Sequence, residues 1–309
     1  MTFCCLNVLQ KKQAPGPGPT TETILTIRND KNDNTMYSSE KKGIRDDPWQ
    51  SLKRYTQARI ALGRCGCSLP TSELLHFKLA HAKAIDAVHL PLRTELTARK
   101  IKETAGIDTV CLHSSAQNRQ EYLKRPDLGR ILSANSISLL QNMEKAGRYD
   151  ISLVVADGLS STAIEANIIP VFDLLIPELG KKGYALSPVA VVEQGRVAVA
   201  DHIAELFHAR MTVIFIGERP GLKSPDSLGI YLTYHPKTGT TDERRNCISN
   251  VRRNGLSYPS ACFKLLYLIE ESFRKKLSGV NLKDEQTSRQ LRHAESGHVR
   301  SACLTDPIP

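Results

Sequence analysis

The side chains best able to do chemistry gather in three polar loops, each following a short apolar run. They are Ala156 to Ser161 (ADGLSS), Gly217 to Gly229 (GERPGLKSPDSLG) and Thr241 to Asn250 (TDERRNCISN). In the first, Asp157-Gly158 reads as a turn, and Ser160 or Ser161 can cap a following helix whose N-terminus could hold an anion. The second sets a carboxylate, Glu218, beside Arg219, where a surface ion pair is one reading; the third carries a thiol, Cys247, among polar residues. None of the three fits the dinucleotide pattern G-x-G-x-x-G or the phosphate loop G-x-x-x-x-G-K-S/T. There is no G-x-S-x-G elbow, and no cysteine has the flanking sequence of a known cysteine nucleophile. These loops license a ligand-binding site and do not name its ligand.

Metal and nucleic-acid chemistry find little support. Cys65-Gly-Cys67 could begin a metal site, but no second Cys pair or His pair at zinc spacing accompanies it. His76 and His81 are not at the i, i+4 spacing of a helical metal pair. The net charge of +10 asks for an acidic partner, and Arg244-Arg245 and Arg252-Arg253 form a local basic cluster. No nucleic-acid motif or aromatic platform accompanies it, so solvated basic surface is the expectation. Apolar runs fall far short of the roughly 20 residues of a membrane span, and MTFCCLNVLQKK lacks the basic region of a secretory signal. A soluble intracellular protein with eight free thiols is therefore expected.

The elements that must position these loops follow from pattern. Residues 1–45, with Pro15, Pro17 and Pro19 and a polar run, read as a disordered tail, as do residues 278–309. Residues 46–106 read as a small helical domain. Asp47 and Pro48 start a first helix that carries Trp49, Leu52, Thr56 and Ile60 on one face to Gly63, and Thr71 or Ser72 caps a second that stops before Pro91. Residues 107–277 read as an α/β domain with a Rossmann-like, open and mainly parallel sheet flanked by helices. Its strands are expected at Thr109 to Leu112, Ile151 to Val155, Val189 to Val192 and Thr212 to Ile216. The Ser160 or Ser161 helix is expected to break at Pro170, and Asp201 to cap a helix carrying Ile203, Leu206 and Phe207. A last helix follows Ser257 with Cys262, Leu265, Leu266, Ile269 and Phe273 on one stripe. Such sheets bind ligands at the carboxyl ends of their strands.

Ordered segments along the chain add a family. ARIALGRCGCSLPT (Ala58 to Thr71), LAHAKAIDAVHLPL (Leu79 to Leu92), YLKRPDLGR (Tyr122 to Arg130), VVADGLSSTAI (Val154 to Ile164), EQGRV (Glu193 to Val197), IGERPGLKSPDSLGIYLTY (Ile216 to Tyr234) and RNCISNVR (Arg245 to Arg252) resemble the small subunit of ethanolamine ammonia-lyase. The resemblance spans about residues 46 to 276. It implies a hetero-oligomer of several small and large subunits that converts ethanolamine to acetaldehyde and ammonia with adenosylcobalamin. The large subunit, a TIM-barrel chain, is implied to hold substrate and catalytic residues, and the cofactor's cobalt–carbon bond to supply the radical.

The same resemblance implies corrinoid contacts at Val197, Glu218 and Cys247, with no catalytic residue and no metal ligand on this chain. The D-x-H-x-x-G pattern by which another cobalamin-binding fold gives a histidine to cobalt is absent; Asp201-His202 lacks the glycine. The implied location is the cytoplasm or a bacterial ethanolamine-utilisation microcompartment, although the proline content of residues 1–45 does not suit a helical shell-targeting signal. The competing readings are a stand-alone nucleotide-binding α/β enzyme, against which the missing fingerprints count, and a nucleic-acid binder resting on charge alone.

Overall fold

A computed structural model describes residues 43–143 and 147–284. The chain from Arg45 onward clusters as one compact unit, a mixed α/β fold around one six-stranded sheet. Helices α1 (Thr71–His89) and α2 (Thr94–Ala105) precede strand β1 (Thr109–His113), and α3 (Arg119–Lys124) and α4 (Ala134–Asn142) lead to β2 (Ile151–Ala156). Then come α5 (Ser161–Lys181), β3 (Val189–Glu193), α6 (Val199–Leu206), β4 (Met211–Gly217), β5 (Leu228–Tyr234), β6 (Arg245–Val251) and α7 (Tyr258–Lys275). The strand order is β1-β3-β2-β4-β5-β6. The first four strands are parallel, and β5 runs antiparallel to both β4 and β6.

Every residue of β2 and β4 is buried, as expected of strands covered on both faces. One face carries α2, α5 and α7: Ala98 and Ile101 of α2, Ile168 and Phe172 of α5 and Leu265 and Ile269 of α7 share a core with Val213, Phe215, Ile230 and Ile248. Phe172 meets Phe215 edge-on at 5.0 Å, a favoured aromatic geometry. On the other face α4 and α6 cover the parallel strands, with Leu140, Ile203 and Phe207 against Val154, Val192 and Ile214.

Several expectations need correction. Helix α5 does not break at Pro170; it runs on through Pro170 and Pro177. The carbonyls these prolines leave without a partner belong to Ala166 and Asp173, both exposed, so water can take the lost bonds. Asp201 caps nothing: it lies inside α6, buried, and its carboxylate takes both terminal nitrogens of Arg245 at 2.8 and 2.6 Å. That pair is fully desolvated and closed by Thr233 Oγ1 and the Thr240 carbonyl, tying α6 to β6. The helix expected from Pro48 to Gly63 is a short exposed 3-10 turn, Pro48–Arg54, capped by Asp47. Thr71 opens α1 as a helical residue, with no side-chain cap. Residues 278–284 are packed rather than loose: Leu282 is buried in the core and Asn246 donates to the carbonyls of Gly279 and Leu282. Residues 1–42 and 285–309, assigned to tails, lie outside the described residues.

Candidate functional site

The first two polar loops meet at the carboxyl edge of the parallel strands. The third segment is no loop, since Arg245–Val251 forms β6; only its end at Ser249 and Asn250 reaches that edge, while Thr241–Arg244 lies at the opposite end of the strand. Leu159 N–H donates to the Gly217 carbonyl at 2.9 Å, and Ser160 Oγ, which also caps α5, donates to the Pro225 carbonyl at 2.7 Å. The approach is so close that a Cβ on Gly217 would stand 2.0 Å from the Ser160 carbonyl oxygen. Nothing but glycine fits there.

Glu218 follows directly and is half-buried. Its backbone N–H donates to Ser227 O at 2.9 Å, and its carboxylate takes the Ser227 hydroxyl, the Ser249 hydroxyl and the Asn250 N–H. The last two come from a bulge in β6, where pairing with β5 shifts register and Asn250 adopts a left-handed φ of 60°. The surface ion pair with Arg219 is not formed; the carboxylate is a clasp joining the β4–β5 loop to the end of β6.

Beside this clasp lies bare sheet. On the face where α4 and α6 cover the parallel strands, alternation along β5 and β6 puts Gly229, Tyr231, Cys247 and Ser249 side by side. Cys247 and Ser249 are exposed, Tyr231 is half-buried against the α4/α6 layer and Gly229 is buried, while Asp201 of α6 reaches β6 through Arg245. Tyr231 pairs with Cys247 across the strands, and its hydroxyl is pushed well above the usual phenol range by desolvation, then by the neighbouring thiol and Glu218. Desolvation likewise raises the Cys247 thiol, with Tyr231 opposing and Glu218 adding to the shift. A raised thiol stays protonated at neutral pH and is a weak nucleophile. Gly229 has no side chain to fill the corner, where a Cβ would press on Glu218 at 3.0 Å and on Tyr231 at 3.3 Å.

Val197 stands just before α6, half-buried, against the same apolar layer as Tyr231. Its turn is held from three sides. Gly195 N–H donates to Asp157 Oδ1 at 3.1 Å, Tyr122 hydroxyl donates to the Gly195 carbonyl at 3.0 Å, and Arg196 N–H donates to the Gly129 carbonyl at 2.7 Å. Asp157 is wholly buried and meets Arg119 at 3.0 Å. Burial pushes its carboxyl up to about 6 against the pull of Arg119. The guanidinium groups of Arg119 and Arg196 both lie on the ring of Tyr122, at 4.8 and 4.4 Å. Sequence reasoning passed over Asp157 as a turn residue. An Asp-Gly pair says nothing of what its carboxylate will meet 38 residues later. Among the described residues no group of three His, Cys, Asp or Glu side chains could hold a metal ion, and no helix is long and apolar enough to cross a membrane.

Residues 46–283 match the family model described as ethanolamine ammonia-lyase light chain (EutC). The chain belongs to this family. It is similar to the ethanolamine ammonia-lyase small subunit of Azotobacter vinelandii, 52% identical over 261 residues, covering 84% of this chain and 96% of the relative. It is also similar to those of Pseudomonas fluorescens (51% over 263 residues) and Pseudomonas putida (50% over 261 residues), each covering 84% of this chain and 96% of the relative. The EutC match takes in all three polar segments, the Val197 turn and the packed residues 278–283, and it excludes residues 1–45. The light-chain family is therefore matched over the whole region that builds the clasp and the bare sheet.

Proposed function

We propose that the chain is the small subunit of an ethanolamine ammonia-lyase and forms one wall of an adenosylcobalamin site, closed by a large subunit that carries the catalytic residues. The observation that carries this reading is the exposed face at Cys247 and Ser249 of β6 beside the Glu218 clasp, next to parallel strands β2 and β4 that are buried throughout. A broad, flat macrocycle needs an open surface of this kind. On this reading the fold is a Rossmann-like frame whose ligand edge is extended by an antiparallel hairpin.

The residues present fit the cofactor. A carboxylate has about four lone-pair positions, and Glu218 gives three to its own chain, which leaves one for an amide N–H of the corrin rim. Val197 offers an apolar edge and its backbone. Cys247 is exposed, small and neutral, and so lies against an uncharged ring without desolvating a charge. When bound, the cofactor supplies the radical chemistry that turns ethanolamine into acetaldehyde and ammonia; this chain's residues bind, orient and exclude water.

Co-expression with an ethanolamine ammonia-lyase large subunit tests the proposal. The two chains should co-purify and deaminate ethanolamine with adenosylcobalamin, and omitting this chain should abolish the activity. Separate elution, or activity indifferent to this chain, would sink the reading. Within the complex, Glu218→Ala should weaken cobalamin binding by roughly tenfold, the loss of one charge-assisted hydrogen bond. An unchanged affinity would remove Glu218 from the site.

A further inference from the structure

Most of the large apolar side chains that stand exposed in the described chain lie between residues 49 and 90. Helix α1 is their centre. Leu75 is 59% and Leu79 55% exposed, Leu74, Phe77 and Ile85 are exposed as well, and Ala87 is the helix's one buried residue. At 100° per residue these side chains share a wide arc of the helix opposite Ala87, interspersed with Lys78, His81 and Asp86. An apolar arc on the solvent side is the reverse of what a surface helix keeps and suits an interface.

The helix is nevertheless tied to the candidate edge. The Val88 carbonyl takes Arg119 Nε at 2.6 Å, and Arg119 in turn holds Asp157. The Leu90 carbonyl takes Ser161 Oγ at 2.7 Å, at the start of α5. The C-terminal end of α1 is therefore anchored beside the carboxyl edge of β2, and a chain that closes that edge comes within reach of α1.

We infer that the surface formed by α1 and the exposed turn at Pro48–Arg54 is a docking face for the large subunit of the lyase. The inference rests on the assignment of this chain as a small subunit. Large apolar side chains exposed together on neighbouring elements, rather than scattered singly, mark an interaction site. Lys53 and Arg54 in the turn and Lys78, Lys83 and Asp86 on α1 are exposed too, so the matching face should be apolar with a charged rim of both signs.

The test uses the full chain co-expressed with the large subunit. The double variant Leu75→Glu/Leu79→Glu should reduce recovery of the complex about tenfold or more, as expected for loss of buried anchors, while the melting temperature of the isolated chain stays unchanged. Leu174→Glu, an exposed position on α5, should leave recovery intact. Amide exchange across residues 71–89 should slow when the large subunit is added to the isolated wild-type chain. Equal recovery of both variants, or no added protection, would refute the docking face while leaving the small-subunit assignment standing. A concentration-dependent dimer of the isolated chain, dissolved by the double variant, would give the face to a second copy instead. Protection already complete in the isolated monomer would give it to this chain's own N-terminal residues. Failure of the wild-type chain to assemble would overturn both readings.

Discussion

Glu218 receives donors from the β4–β5 loop and from the end of β6, and that placement explains why an acidic residue can stand beside an apolar strand without a basic partner. Its oxygens accept from two hydroxyls and a backbone amide. Tyr231 and Cys247 next to it are held neutral, chiefly by desolvation. The thiol therefore has a testable signature. Iodoacetamide should alkylate Cys247 more slowly in the folded chain than in the urea-unfolded chain at pH 8, because its thiolate fraction is lower. The rate should rise at higher pH than an ordinary thiol requires. Cys262, 5% exposed and pushed up to about 11 by burial, should stay unlabelled until unfolding. A Cys247 that reacts as fast as a free peptide thiol would mean its surroundings are wetter than described. The large subunit and cobalamin together should slow that labelling further if the bare face is where the corrin ring lies.

At the scale of elements, the joins between loops matter more than the loops. Gly217 ends β4 against the turn that starts α5, and a Cβ there would meet the Ser160 and Asp157 carbonyl oxygens at 2.0 and 2.4 Å. Neither oxygen can move without disturbing the α5 cap. Gly217→Ala should therefore destabilise the chain by about 3 kcal/mol or more, in the range of overpacked buried sites, read as a lower urea midpoint with unchanged m-value. A shift under about 1 kcal/mol would show that the two loops can separate. What sequence could and could not reveal divides along the same line. The starts of α5 and α7 were legible because Ser160 and Ser257 act locally on residues three positions on. The apolar runs of β2, β3 and β4 were legible because strands buried on both faces need no partner to be recognised. Asp201 was misread because an acid one turn into a helix looks the same whether it caps an end or meets an arginine 44 residues away. The same limit hid the site's support: Asp157 and Tyr231 have roles only through Gly195, Arg119 and Cys247, which the fold alone brings near. The first two loops were visible as polar sequence with glycines, whereas Thr241 to Asn250 was misread, because an edge strand with few apolar residues looks like a loop until it pairs with β5. The joins through Glu218 and Gly217 were not visible.

For the molecule as a whole, Asp157 is a buried group that links distant parts of the chain. It joins the end of β2 to the Val197 turn through Gly195 and to α3 through Arg119, so its ionisation state should be felt in global stability. Its carboxyl is raised from the usual 3.8 to about 6, chiefly by desolvation, with Arg119 and the backbone N–H groups opposing. In the pH window between these values the folded state binds more protons than the unfolded state, so stability falls as pH rises. The contribution is fully present below about 4 and lost as pH passes through about 6. Other carboxylates, among them Glu165 and Glu205, are lowered by hydrogen bonds and by nearby basic groups and slope the other way. A difference between two variants is thus needed to isolate Asp157. Asp157→Asn keeps an oxygen for the Gly195 N–H but cannot ionise. Urea midpoints of the two proteins, measured from pH 4 to pH 7, should cross or converge. The wild type loses on the order of 2–3 kcal/mol relative to the variant over that span, an upper figure set by the shift of about two pH units. Part of this is offset at neutral pH because the variant leaves Arg119 without its ion pair, so the absolute stabilities do not decide the matter; the difference in slope does. Parallel curves would mean that Arg119 holds Asp157 fully ionised across the range. The Val197 turn would then hang from a permanent ion pair rather than from a carboxyl that titrates near pH 6.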